Sequence, residues 1–196
     1  KKLLLGLCEP QSTYINIDEG QLSKDAKSKQ VLDKAMSAED YFLIVGPPGT
    51  GKTSIFARQL IERFYAQPDT NILVMAYTNR AVDELCAAIC DAFDESDEIC
   101  TKFVRIGSEY SCSEHYRSRL LQNISDKAKS RRELLETLKS SRIYVGTLAS
   151  IIGKPELFEI KKFDIAIIDE ASQILEAQII GLLPLFKKFI MIGDHK

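Results

Sequence analysis

The sequence predicts an α/β fold: a mainly parallel central sheet flanked by helices, with a helical insertion. Three observations lead there. Six short runs rich in Ile, Val, Leu, Phe and Tyr recur along the chain, several apolar throughout, as strands covered on both faces require. Stretches with apolar residues every three or four positions separate most of these runs. A glycine-rich loop falls at a strand-to-helix junction, and open α/β sheets bind ligands at the carboxyl ends of their strands.

Taken in order, residues 1–22 are read as an extension from a preceding region. Val31, Leu32, Ala35 and Met36 then form a helical stripe before the first strand, Tyr41–Val45. Phe56, Leu60 and Phe64, spaced by four, predict the next helix, and Asn71–Tyr77 the second strand. Val82, Leu85, Ile89 and Phe93 mark a helix after it, followed by the strand Phe103–Ile106. The rhythm then breaks. Residues 107–141 contain no good strand, and Lys127–Ser140 reads as a helix with Leu134, Leu135 and Leu138 on one side, capped by Asp126 or Ser125. This segment is the expected insertion. Ile143–Thr147, Ile165–Asp169 and Phe189–Gly193 complete the strands.

With 196 residues, 45% hydrophobic and 28% charged, the chain suits one globular domain with a full core. No apolar run approaches the roughly 20 residues of a membrane-spanning helix, and Leu3–Leu5 is too short for a signal peptide. An intracellular location is expected, cytoplasmic or, in a eukaryote, nuclear, with no membrane partner. The missing initiator Met marks the chain as an expected piece of a longer protein. Five cysteines without a C-x-x-C pair read as reduced, mostly buried thiols. A net charge of −2 excludes a generally basic nucleic-acid-coating protein. The distribution is less even: residues 101–142 carry ten Lys or Arg against five Asp or Glu. That excess suits either phosphate attraction or a solvated helical face.

The strongest motif is Gly46-Pro47-Pro48-Gly49-Thr50-Gly51-Lys52-Thr53, a P-loop between a strand and a helix. Its glycines let backbone N–H groups turn inward around phosphate oxygens, and the helix that follows adds the positive end of its dipole. Lys52 is expected to reach the β and γ phosphates of ATP and the Thr53 hydroxyl to bind Mg²⁺; Ser54 completes the nucleotide-binding stretch. Cleavage needs two more groups. The apolar strand ending in Asp169-Glu170, about 115 residues downstream, supplies them: Asp169 for the Mg²⁺ shell and Glu170 to polarise water. Kinases and small switches do not need this adjacent pair, so a motor is favoured.

Asp169-Glu170-Ala171-Ser172-Gln173 resembles motif II of superfamily-one helicases, in the branch holding the RNA helicase of nonsense-mediated decay and the replication nuclease-helicase. Ala76-Tyr77-Thr78-Asn79-Arg80-Ala81-Val82-Asp83-Glu84-Leu85 resembles motif Ia. Val145-Gly146-Thr147-Leu148 is similar to the next backbone-contacting motif, and Gly193-Asp194-His195-Lys196 to the start of motif III. The resemblance implies the first RecA-like motor domain of a helicase that couples ATP hydrolysis to movement on single-stranded DNA or RNA. It implies nucleotide sensing by Gln173 and Asp194, contact with the nucleic-acid backbone by Thr78, Asn79 and Thr147, and a second RecA-like domain in the same chain supplying arginines.

Two departures stand beside it. Where the family has an adenine-reading Gln, this chain has Ser28, with Gln30 close by and Gln21 further off, and the motif III glutamine would follow the last residue. Arg117, Arg119, Lys127, Lys129, Arg131 and Arg132 of the insertion are further candidate nucleic-acid contacts, with only Tyr110 and Tyr116 for stacking. Two alternatives stay open: another P-loop NTPase of the switch or kinase kind, and a non-catalytic nucleotide-binding module.

Overall fold

The computed structural model describes residues 24–46, 52–93 and 103–194, with backbone alone for 24–27 and 52–54. The expected extension at 1–22 lies outside the described residues. The chain runs α1 (Lys24–Ser37), β1 (Tyr41–Val45), a wide π-type turn (Lys52–Ala57) leading into α2 (Arg58–Tyr65), β2 (Ile72–Ala76), α3 (Asn79–Ala92) and β3 (Val104–Ile106). Two 3₁₀ segments (Glu109–Ser111, Glu114–Arg119) lead to α4 (Leu121–Lys127) and α5 (Arg131–Ser140). Then come β4 (Ile143–Thr147), α6 (Leu148–Ile152), α7 (Glu156–Ile160), β5 (Ile165–Ile168), α8 (Glu176–Ile179) and β6 (Lys188–Gly193).

The six strands form one sheet in the order β1-β6-β5-β2-β4-β3, every pair parallel. Strand periodicity explains why the runs are apolar throughout. Ile72, Val74 and Ala76 face one core with α1, α2 and α3, while Leu73 and Met75 face the other with α5, α6 and α7. β5 and β6 divide likewise: Ile165, Ile167, Ile190 and Ile192 on the first side, Ala166, Ile168 and Phe189 on the second. Each fully buried Ile contributes about 1.5–3 kcal/mol of hydrophobic stabilisation. Edge strand β1 is unevenly covered among the described residues: Ile44 is buried and Tyr41 packs on the second core, but Leu43 and Val45 are each 52% exposed.

The predicted helix Lys127–Ser140 begins only at Arg131, and a separate helix, α4, ends at Lys127. A turn separates α4 from α5, and the cap is Ser130 rather than Asp126 or Ser125: its Oγ accepts from Glu133 N (3.2 Å), while Glu133 Oε2 accepts from Lys129 N (2.8 Å). Leu121 and Ile124 of α4 and Leu134 of α5 pack against the second core, and Leu138 is buried in it.

Two polar clusters fasten the frame. Fully buried Arg105 of β3 pairs with Asp83 of α3 at 2.8 Å, and Asp83 also accepts from Ser113 N (3.2 Å), so α3 is tied to the chain leaving β3. At the amino ends of the strands, Arg142 donates to the carbonyls of Thr70 (3.0 Å), Tyr65 (3.0 Å) and Gln67 (2.6 Å) and lies over the Tyr65 ring. Beside it Asp164 accepts from Asn71 N (2.9 Å) and pairs with Lys187 (2.7 Å), which holds its carboxyl below the ordinary range against the opposing effect of burial.

Candidate functional site at the carboxyl rim

Because all strands are parallel, the loops after β1, β6, β5, β2 and β4 emerge side by side on one rim. Val45 pairs with Gly193, and Gly46 N donates to Gly193 O (3.2 Å), so the start of the phosphate loop leaves directly beside the end of β6. Pro47, Pro48, Gly49, Thr50 and Gly51 lie outside the described residues. Lys52, Thr53 and Ser54 open the π-type turn that packs against β6 and α3.

One strand further along, β5 ends in the acidic pair. Asp169 is only 4% exposed; its backbone N–H continues the ladder to Met75 O (2.8 Å), and its Oδ1 accepts from Glu170 N (2.9 Å). Glu170 has φ 52° and ψ 30°, the left-handed region that a residue with a side chain occupies at a cost of about 1–3 kcal/mol. With the backbone so turned, the carboxylate meets the next loop. Oε2 accepts from Thr78 N (3.2 Å) and Thr78 Oγ1 (3.0 Å), and Oε1 accepts from Gln173 Nε2 (3.2 Å). The left-handed turn flows into a 3₁₀ turn, Ala171–Gln173, closed by Gln173 N on Glu170 O (2.9 Å).

Thr78 follows β2 and caps α3, its Oγ1 accepting from Ala81 N (3.1 Å); Asn79, the first helical residue, is exposed. Thr147, the last residue of β4, plays the same capping part there. Its hydroxyl caps α6 by accepting from Ser150 N (3.1 Å) and lies 2.7 Å from Ser150 Oγ, leaving it 6% exposed. Asp194 follows β6, its N–H donating to Ser172 Oγ at 3.4 Å. The rim thus brings together Gly46, Asp169, Glu170, Gln173, Thr78 and Asp194, with Thr147 on the next strand beyond β2.

Two participants escaped the sequence reading. Ser172 joins the motif II turn to the end of β6, and Ser150 completes the Thr147 cap; a Ser three residues after a strand-ending Thr is the signal for the latter. Of the six basic candidates, three are engaged within the domain. Arg117 pairs with Glu114 (3.6 Å), Arg132 with Glu136 (2.9 Å), and Arg119 lies over Phe103. Tyr116 is half-buried against Phe103, while Tyr110 is fully exposed. Gln30, the adenine candidate, sits on α1 with a buried side-chain nitrogen that has no hydrogen-bond partner among the described residues. Cys86 and Cys112 are buried free thiols and Cys90 is half-buried; burial pushes the Cys86 and Cys112 thiols up, away from thiolate chemistry. Cys8 and Cys100 lie outside the described residues.

The AAA domain family model matches this chain over residues 23–133 and 113–196. The chain belongs to that family, among the superfamily-one helicase motor domains. This AAA domain is 29% identical to the human DNA replication ATP-dependent helicase/nuclease DNA2, over 100% of this chain and 19% of that protein. It is 31% identical to the Saccharomyces cerevisiae protein of that name, over 89% of this chain and 11% of the relative. The Arabidopsis thaliana helicase/nuclease JHS1 is 32% identical over 95% of the chain and 13% of that protein. The AAA domain therefore spans less than a fifth of the length of these relatives. Among solved structures, the UvsW helicase from bacteriophage T4 superposes with a TM-score of 0.58 at 17% identity, covering 97% of this chain and 57% of that one. That likeness shows the fold alone, a RecA-like α/β domain. Among the described residues no helix is long and apolar enough to cross a membrane.

Proposed function

We propose that this domain binds and hydrolyses ATP and that the full-length protein uses the cycle to move along single-stranded nucleic acid. The observation that carries the reading is the shared rim: the chain enters the phosphate loop beside the end of β6, Asp169-Glu170 lies one strand away, and Glu170 touches the strand-contacting loop at Thr78. DNA is the favoured strand, since the relatives are named for DNA replication.

In this reading Gly46 through Ser54 wrap the phosphates, with Lys52 offsetting charge on the transferring group. Thr53 and the buried Asp169 offer hard oxygen donors, the set Mg²⁺ prefers, and the ion when bound neutralises charge on the phosphate oxygens. Glu170 accepts the proton of the attacking water, while Gln173 and Asp194 respond to the γ-phosphate. Thr78, Asn79 and Thr147 hold the nucleic-acid backbone, their helix starts offering N–H groups to phosphates. Residues 107–141 are taken as an insertion. The chain leaves the sheet after β3 and returns as the adjacent strand β4; the segment between adds no strand and touches the sheet edge through one parallel bridge, Leu120 to Arg105. A second RecA-like domain would close over the nucleotide and supply arginines.

The test is the steady-state ATPase rate of the full-length protein. Glu170→Gln is expected to lower turnover about 10²–10⁴-fold with ATP still bound, and Lys52→Ala to weaken ATP binding itself. Normal turnover in Glu170→Gln would overturn the assignment.

A further inference from the structure

Thr78 has two hydrogens to donate, one on its backbone nitrogen and one on its hydroxyl. Both go to the same atom, Glu170 Oε2, at 3.2 and 3.0 Å. The hydroxyl cannot swing away freely, because its oxygen is already accepting from Ala81 N at the start of α3. Glu170 is constrained in turn: its backbone is left-handed, and its other carboxylate oxygen accepts from Gln173 Nε2. The anion position at the start of α3 is therefore filled by the very group that must take a proton from water.

We propose that Thr78 is a positioning residue that restrains Glu170 in the absence of nucleic acid, and that a strand phosphate releases the glutamate by competing for the two Thr78 donors. Two anions cannot share the same two hydrogens, and bringing a phosphate beside the carboxylate adds like-charge repulsion. Strand binding and a free Glu170 are then favoured together. Thermodynamic linkage makes the coupling reciprocal in binding: a domain whose glutamate no longer occupies Thr78 binds the strand more tightly. The inference rests on the reading of Glu170 as the water-activating residue and of Thr78 as a backbone contact.

The experiment uses the full-length protein at saturating ATP, with and without saturating oligo(dT), for wild type, Thr78→Val, Thr78→Ser and Glu170→Gln. Couplings between sites are typically about 5–150-fold. Thr78→Val is expected to raise the strand-free rate on the order of tenfold and to collapse the stimulation ratio, whereas Thr78→Ser, which keeps both donors, holds the ratio within about threefold of wild type. If Thr78 merely caps α3, Thr78→Val lowers both rates together and leaves the ratio unchanged, which overturns the inference. Should Thr78→Val fail to fold, oligo(dT) binding without nucleotide decides instead. Glu170→Ala is expected to bind about 3–10-fold more tightly than Glu176→Ala, which removes an equal charge outside the contact; equal affinities overturn the inference. The two readings separate cleanly. Turnover persisting in Glu170→Gln sinks the catalytic assignment, while an inactive Glu170→Gln beside a wild-type ratio in Thr78→Val sinks only the restraint.

Discussion

Glu170 and Lys188 are each held by distant parts of the chain. Glu170 has a left-handed backbone and bonds to Thr78, 92 residues earlier. Lys188 opens β6 and reads as an ordinary basic residue, yet it is 6% exposed, donates to Met36 O (3.0 Å) and lies over the Phe64 ring. Burial lowers its pKa to about 8. The unfolded chain keeps the ordinary, higher value, so between about pH 8 and 10 the unfolded state binds more protons, and stability from this group rises with pH. Lys161, lowered to about 8 by burial and then by Arg142, acts in the same direction. Urea titrations of the domain at pH 7 and pH 9.5 should therefore show wild type gaining stability relative to Lys188→Met at the higher pH. An unchanged difference would contradict the assignment.

Gly146 shows what an element demands of its neighbour. A Cβ there would lie 2.8 Å from Ile106 O and 3.1 Å from Ile106 Cβ, so β3 and β4 approach each other through a position where only glycine fits. Gly146→Ala is expected to cost about 1–3 kcal/mol, read as a lower urea midpoint at constant m-value. The strands themselves were legible to within a residue at each end. Their apolar runs face a core on both sides, and that demand leaves a direct mark on composition, as Ile165–Ile168 shows. The insertion was harder. Ser125, Asp126 and Ser130 are all good caps, and the choice between them is made by tertiary packing. Leu121 and Ile124 dock on the second core as a helix of their own, and the chain restarts at Ser130, where Glu133 completes the cap. The motif at the phosphate loop was plain because its glycines and Lys52 serve a ligand, so chemistry fixed their spacing.

Across the whole molecule, alternating strands and helices implied parallel pairing, but not that the last strand, β6, would insert between β1 and β5. That order makes Gly193-Asp194 the bridge between the phosphate loop and the acidic pair. In the proposed function the rim is one half of a motor. If arginines from a second domain are worth about 10³–10⁵ in rate, the 196-residue chain alone should hydrolyse ATP slowly and separate no duplex in a gel-based unwinding assay. Robust strand separation by the isolated chain would contradict the two-domain reading. The opposite rim has a practical use of its own. Arg142 staples the turns there, and exposed Lys162 sits just before β5, a sheet's height away from every proposed contact. A dye or surface tether attached through Lys162→Cys would give single-molecule measurements a handle that leaves nucleotide and strand unobstructed.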